Sequence, residues 1–343
     1  MEAPGLSSLL GFFGLFALGL AVYLSVLIGF TMWRLTRPPR RTYASAVARG
    51  LAGDPSELDT PRRFEAWALA PRGRRLEAWT IQGDDPAGPV CVMAPGWGDG
   101  RVGALTRLDA LTPGCSRIVA FDSAGLGESE GVCTLGTREV GDLVALIERV
   151  REEGRSLVVY GWSLGAGMAI AAAALGTPVD AIIAEAPYRR ADTPARNVMH
   201  GAGLPWRANL APAIAMLGAS FGVGIGWRGF DRAELAQRVA CPILVLHGSE
   251  DEICPVEDGR EIATRAPAGE LFVIPGGRHN DLWMDERHRA VCVEAVRGFV
   301  ERVSGMVDTQ GGRSLHTDSP QRHGEHRESH CLGKPEEVKR GGI

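Results

Sequence analysis

The stretch Leu157-Val-Val-Tyr-Gly-Trp-Ser-Leu-Gly-Ala-Gly-Met168 decides the reading of this chain. Residues 157–160 are uniformly apolar, which suits a short buried strand. Residues 166–175 are small and apolar, which suits a helix packed close to a sheet. Between them lies Gly161-Trp-Ser-Leu-Gly165, a G-x-S-x-G pentapeptide at a strand-to-helix turn. Such a turn lifts a serine above the sheet edge, and glycines flank it because side chains would crowd the neighbouring backbone. Ser163 is therefore the candidate nucleophile. The N–H of Leu164, at the start of the helix, is a candidate donor to a developing oxyanion.

Outward from this turn, short apolar runs alternate with helical patterns. Residues 64–69 and 76–81 alternate as a half-exposed antiparallel pair around a turn at 71–74. Residues 90–94, 118–121, 180–184, 243–247 and 271–274 read as buried strands. Helices are expected over 139–153, 257–266 and 287–303. This pattern predicts an α/β fold: a mostly parallel, eight-stranded sheet covered by helices. In such sheets ligands gather beyond the carboxyl ends of the strands.

An acid and a base follow the serine in the order Ser, Asp, His. Asp251 follows the strand at 243–247, and His279 follows the strand at 271–274. His279 would take the proton of Ser163, and Asp251 would hold its imidazole in the required tautomer. His247, Glu250, Glu252 and Glu185 are the alternatives for base and acid. Asp281 reads as support for the histidine loop. The loop Ala94-Pro-Gly-Trp-Gly-Asp-Gly100 follows the strand at 90–94, and its Trp97 N–H is the candidate second oxyanion donor. Asp99 would order that loop rather than face an oxyanion.

The 343 residues carry a formal net charge of -4 and 45% hydrophobic residues, enough for a large core. No basic stripe interleaved with aromatics points to nucleic acid. The seven cysteines are scattered and show no C-x-x-C pair, so no disulfide framework or structural zinc site is expected. Residues 6–33 are free of charge and long enough to cross a bilayer. Arginines follow at 34, 37, 40 and 41, which by the positive-inside rule leaves the remaining chain on the cytoplasmic side. The expected organisation is a transmembrane helix at 6–33, a juxtamembrane linker at 34–63 and a catalytic domain at 64–303. A small apolar cap interrupts the domain at about 187–235, and a polar, disordered tail follows from 304.

Four stretches together resemble the α/β-hydrolase superfamily: Tyr160-Gly-Trp-Ser-Leu-Gly165, Asp122-Ser-Ala-Gly-Leu-Gly-Glu-Ser129, His247-Gly-Ser-Glu-Asp251 and Gly277-Arg-His-Asn-Asp-Leu-Trp283. Within it the chain is similar to membrane-tethered, bud-emergence-type and serine-aminopeptidase-like hydrolases. The resemblance implies a catalytic triad of Ser163, Asp251 and His279, with oxyanion donors at Trp97 and Leu164. Two departures stand out. Position 124, where the family often has arginine, is alanine, and the oxyanion loop begins Ala-Pro-Gly rather than His-Gly. The expected activity is hydrolysis of an ester or thioester of an apolar acyl group through an acyl-enzyme, with no cofactor and no metal. Acyl transfer, amide hydrolysis or a non-catalytic membrane adaptor are the alternatives. The expected partners are a lipid-like acyl substrate and the membrane.

Overall fold

The computed structural model describes residues 6–311. Its centre is one sheet of eight strands: β1 (Phe64–Leu69), β2 (Leu76–Gln82), β3 (Val90–Ala94), β4 (Arg117–Phe121), β5 (Leu157–Trp162), β6 (Ala181–Glu185), β7 (Ile243–Gly248) and β8 (Gly269–Ile274). They lie in the order β1-β2-β4-β3-β5-β6-β7-β8. β2 runs antiparallel to both β1 and β4, and every pairing from β4 to β8 is parallel. This is the expected mostly parallel α/β sheet. Its ladders run further than the apolar runs do. β5 continues through Gly161 and Trp162, which pair with Ala184 and Glu185. Main-chain groups make those bonds, so a glycine or a glutamate can extend a strand that composition alone would end.

Helices α1 (Leu6–Thr36), α2 (Tyr43–Val47), α3 (Leu108–Leu111), α4 (Glu139–Val150), α5 (Leu164–Ala174), α6 (Asp192–Gly201), α7 (Leu210–Ser220), α8 (Arg232–Ala236), α9 (Val256–Arg265) and α10 (Glu286–Gly311) surround the sheet. Alternate residues of β3 feed opposite cores, as the pleat requires. Val90, Val92 and Ala94 join α4, α5, α8 and α9, while Cys91 and Met93 join α3 and α10. Both faces are covered, which is why the central strands carry no polar alternation.

Three boundaries differ from the sequence expectation. α1 runs on through Arg34, Leu35 and Thr36, because arginine is a good helix former and only Pro38 and Pro39 stop it. The segment read as a linker is folded. Thr42 and Ser45 form a capping box at the start of α2, and Ala46 is buried in the core. α10 continues past residue 303 to Gly311. The remaining tail, with His316, His323, His326, His330 and Cys331, lies outside the described residues. The stretch read as a cap holds α6, α7 and the start of α8, and its Met199, Leu210, Ile214, Leu217 and Trp227 pack into the main core.

Candidate active site

Ser163 stands between β5 and α5 with φ 52° and ψ −109°. A non-glycine residue in that region is strained by about 1–3 kcal/mol and persists only where its surroundings hold it. The surroundings here are main chain. Ser163 N–H donates to the Glu185 carbonyl at 2.8 Å, and Gly167 N–H donates back to the Ser163 carbonyl at 3.3 Å. A Cβ on Gly161 would lie 2.3 Å from the Gly165 carbonyl oxygen, and one on Gly165 would lie 2.0 Å from that of Ala94. The two glycines of the pentapeptide are thus required by backbone approach, the reason anticipated from sequence.

Asp251 and His279 come together from the loops after β7 and β8. His279 Nδ1–H donates to Asp251 Oδ2 at 2.7 Å. This tautomer leaves Nε2 unprotonated and free to accept a proton. Asp251 Oδ1 accepts N–H groups from Ile253 (2.9 Å) and Cys254 (2.7 Å). Its other neighbour is His247, whose Nε2 lies 3.4 Å from Oδ2. That nitrogen also lies 2.8 Å from the Cys254 carbonyl, which can only accept, so it carries the proton. Burial pushes the Asp251 carboxyl up, but hydrogen bonds from His247, His279 and the backbone outweigh it and hold the group well below the usual carboxylate range. Burial also works against a charged His279, yet Cys254 and Asp251 beside it raise its pKa well above the ordinary 6.5. His247, weighed as an alternative base, is fully buried and does not line the cavity; it approaches the same Oδ2 of Asp251 and supports the carboxylate.

Ser163 and His279 line one cavity of about 490 Å³ at the carboxyl end of the sheet. Trp97 lines it too, from the loop after β3. Among the described residues no group accepts the Trp97 main-chain N–H, while its indole N–H donates to the Leu35 carbonyl at 2.9 Å. Leu164 opens α5, where the first amides lack intrahelical partners. Asp99 orders the loop: it accepts from Gly100 N–H at 2.9 Å and from the Trp162 indole at 3.1 Å. The walls are mixed: Leu135, Tyr188, Pro194, Val198 and Ile253 supply apolar surface, and Arg41, Arg49, Asp99 and Asn280 supply polar groups.

Glu185, weighed as an alternative acid, is committed elsewhere. Its carboxylate takes Arg107 Nε and Nη2 at 2.7 and 2.6 Å, the Tyr160 hydroxyl at 2.6 Å and the Trp283 indole at 2.9 Å. Burial pushes its pKa up, but the Arg107 charge and these bonds bring it below the ordinary value. Arg107 also stacks 4.4 Å from the Trp162 ring centre. This buried network underlies the cavity floor, and Arg107 was not singled out in the sequence. No local pattern marks it, because its partner lies 78 residues away. Asp281 accepts from Arg278 N–H at 2.8 Å and faces His288 at 3.3 Å, which orders the histidine loop. Glu252 faces Arg278 at 3.6 Å. Asp122 is met by Arg101 from the preceding loop, Nη1 to Oδ2 at 2.5 Å, rather than by position 124. Burial nevertheless leaves Asp122 at about 6.

Cys254 is a second residue the sequence reading passed over. Its thiol is fully buried beside Ser163 and His279, and burial pushes its pKa up. Asp251, Cys254 and His279 bring metal-type donor atoms within 4.8 Å of one another. The 2.7 Å contact between His279 and Asp251 is that of a shared proton.

This geometry, on this fold, defines a class. Residues 91–295 match the model of the alpha/beta hydrolase family, and the chain belongs to that family. Among its relatives, the alpha/beta hydrolase domain-containing protein aho-3 of Caenorhabditis elegans is 35% identical over 79 residues, 23% of each chain. The lysophosphatidylserine lipase ABHD12 of Danio rerio is 27% identical over 216 residues, 57% of this chain and 53% of that protein. The human protein ABHD12B is 28% identical over 261 residues, 65% of this chain and 70% of that one. The match thus spans about a quarter of the first relative's length and about half of the second's. The esterase PF2001 of Pyrococcus furiosus has the same fold with a TM-score of 0.60 at 20% identity, over 79% of this chain and 99% of that one.

Proposed function

We propose that this protein is a serine hydrolase that cleaves a carboxylic ester or thioester of an apolar acyl chain. The observation that carries this reading is one arrangement: Ser163 on a strained turn shares a cavity with His279, whose Nδ1–H is held by Asp251. Ser163 Oγ attacks the acyl carbonyl as its proton passes to His279 Nε2. The oxyanion is met by the N–H groups of Trp97 and Leu164. Collapse breaks the bond to the leaving alkoxide or thiolate, which takes the proton from His279. Water then gives His279 a proton and attacks the acyl-enzyme; the bond to Ser163 Oγ breaks, Oγ takes the proton back from His279, and the carboxylic acid leaves. The apolar part of the lining favours an acyl chain, and Arg49 on the same lining favours an anionic leaving group, while Arg41 lies 3.6 Å from Asp99. The relatives named as lysophosphatidylserine lipases point the same way, toward a single-chain anionic lipid ester. In this reading residues 64–303 form the catalytic domain, and α1 anchors it on the cytoplasmic face, where the arginines after the span belong.

The test is steady-state hydrolysis by the full chain in detergent, with p-nitrophenyl esters of rising chain length. The rate should rise with chain length, and Ser163→Ala should lower kcat by about 10⁴-fold or more. The base must be neutral, so kcat/KM should fall as pH drops through the His279 pKa. That acid limb should lie above the ordinary histidine value of 6.5. A folded protein with no Ser163-dependent turnover on any ester or thioester would sink the reading.

A further inference from the structure

Two stretches of this chain lack acidic residues, and the fold sets them side by side. Residues 3–53 contain no Asp or Glu, and neither do residues 193–230. Within the second, residues 208–227 carry no charge at all and are bracketed by Arg207 and Arg228. α7 lies in this run and packs against α1. Asn209 Nδ2–H donates to Thr31 Oγ1 at 2.6 Å in the buried contact between them.

The contact reaches well up α1. Between residues 10 and 33, the covered positions are Leu24, Leu27, Ile28, Thr31 and Met32, a stripe at helical spacing on one face. Extended to the buried Leu35, it runs about 17 Å at 1.5 Å per residue. A hydrocarbon core of ~30 Å takes about 20 residues. A span of that length centred in the charge-free run overlaps the stripe at Leu24, Leu27 and Ile28. The part of the protein that covers these residues therefore stands at the depth of lipid. Its outer surface suits that depth, since Met216 is 52% exposed and Ile225 70%. Exposed apolar side chains in a run of twenty residues without charge mark an interaction face.

We propose that α7 and the loop to Trp227 form a platform seated in the leaflet beside α1, and that its partner is the anionic phospholipid surface. Arg34, Arg37, Arg196, Arg207 and Arg228 lie on the two acid-free stretches, where headgroup phosphates can pair with them. The platform adjoins the candidate active site. Leu35 of α1 and Pro194, Ala195 and Val198 of α6 all line the cavity. Where the proposed hydrolase reading holds, an amphiphilic substrate enters from the leaflet with its acyl chain never crossing water.

The test uses the full chain in nanodiscs of phosphatidylcholine and phosphatidylglycerol. An environment-sensitive fluorophore is placed on Met216→Cys, on Ile225→Cys and, for reference, on Glu294→Cys of α10. The wild-type chain labelled identically sets the background from its own cysteines. Probes at 216 and 225 should shift to the blue and lose intensity to lipids with nitroxides on their acyl chains, while the probe at 294 does neither. Water-like, unquenched emission at both cap positions would overturn the proposal. So would a blue shift without lipid quenching, which would assign the face to a second copy or another protein. The readout needs no catalysis, so a failed esterase assay leaves it standing.

Discussion

The carboxyl edge of the sheet and the junction of α1 with the cap are built on opposite terms. At the edge, main chain meets main chain at the limit of approach, and charged groups are buried in pairs. A Cβ at Gly165 would lie 2.0 Å from the Ala94 carbonyl, and Glu185 has four donors on its two oxygens. At the junction the surfaces are apolar, one side-chain hydrogen bond is buried, and Met216 and Ile225 face outward. The edge can hold Ser163 in a strained conformation because main-chain bonds fix it on both sides and the backbone around it is closely approached. The junction needs no such precision if, as proposed, its task is to fit beside a helix that crosses lipid.

This contrast predicts a graded set of effects on stability. Arg107→Met should have the largest, because it leaves Glu185 buried without its countercharge; the expected loss is about 3–5 kcal/mol. Thermal unfolding in detergent measures it, and a loss close to that of a surface change would break the contrast. Gly259→Ala comes next. Its Cβ would meet His247 Nδ1 at 2.3 Å, and His247 is packed against Asp251. An overpacking loss of about 1–3 kcal/mol is expected and, on the proposed hydrolase reading, a fall in kcat as Asp251 shifts. Unchanged stability and rate would show that the acid loop is softer than its contacts imply. The smallest effect belongs to Thr31→Val at the junction. Asn209 keeps its bond to the Pro205 carbonyl at 2.9 Å, so about 0.5–1.5 kcal/mol should be lost. A larger loss would mean that the junction is as tightly specified as the edge.

The histidines on either side of Asp251 show where sequence reading stops. Both stand at strand ends, His247 four residues before the acid and His279 28 residues after it. From the sequence either could reach the carboxylate. In the structure His279 presents Nδ1 to the carboxylate and opens to the cavity, while His247 spends its proton on the Cys254 carbonyl inside the core. Glu185 is a similar case. It stands at a strand end, as an acid should, yet Arg107, from the segment after β3, claims it. Arg101, meeting Asp122 where position 124 offers no cation, was equally invisible. The partners of Glu185 and Asp122 lie 78 and 21 residues away in the chain, and no local spacing encodes them.

The eight strands, their mostly parallel arrangement and the strained turn at Ser163 followed from the sequence itself, because backbone sterics and the apolar period are local properties. Strand ends, helix ends and the partners of buried charges were decided only by the tertiary structure. β5 extends through glycine because Ala184 and Glu185 lie alongside to receive it. α1 passes the first arginine because Leu35 finds a buried place beside the cavity and the next prolines are what end the helix. A local pattern sets what a segment is able to form; the neighbours it meets set where it stops and what its polar atoms do.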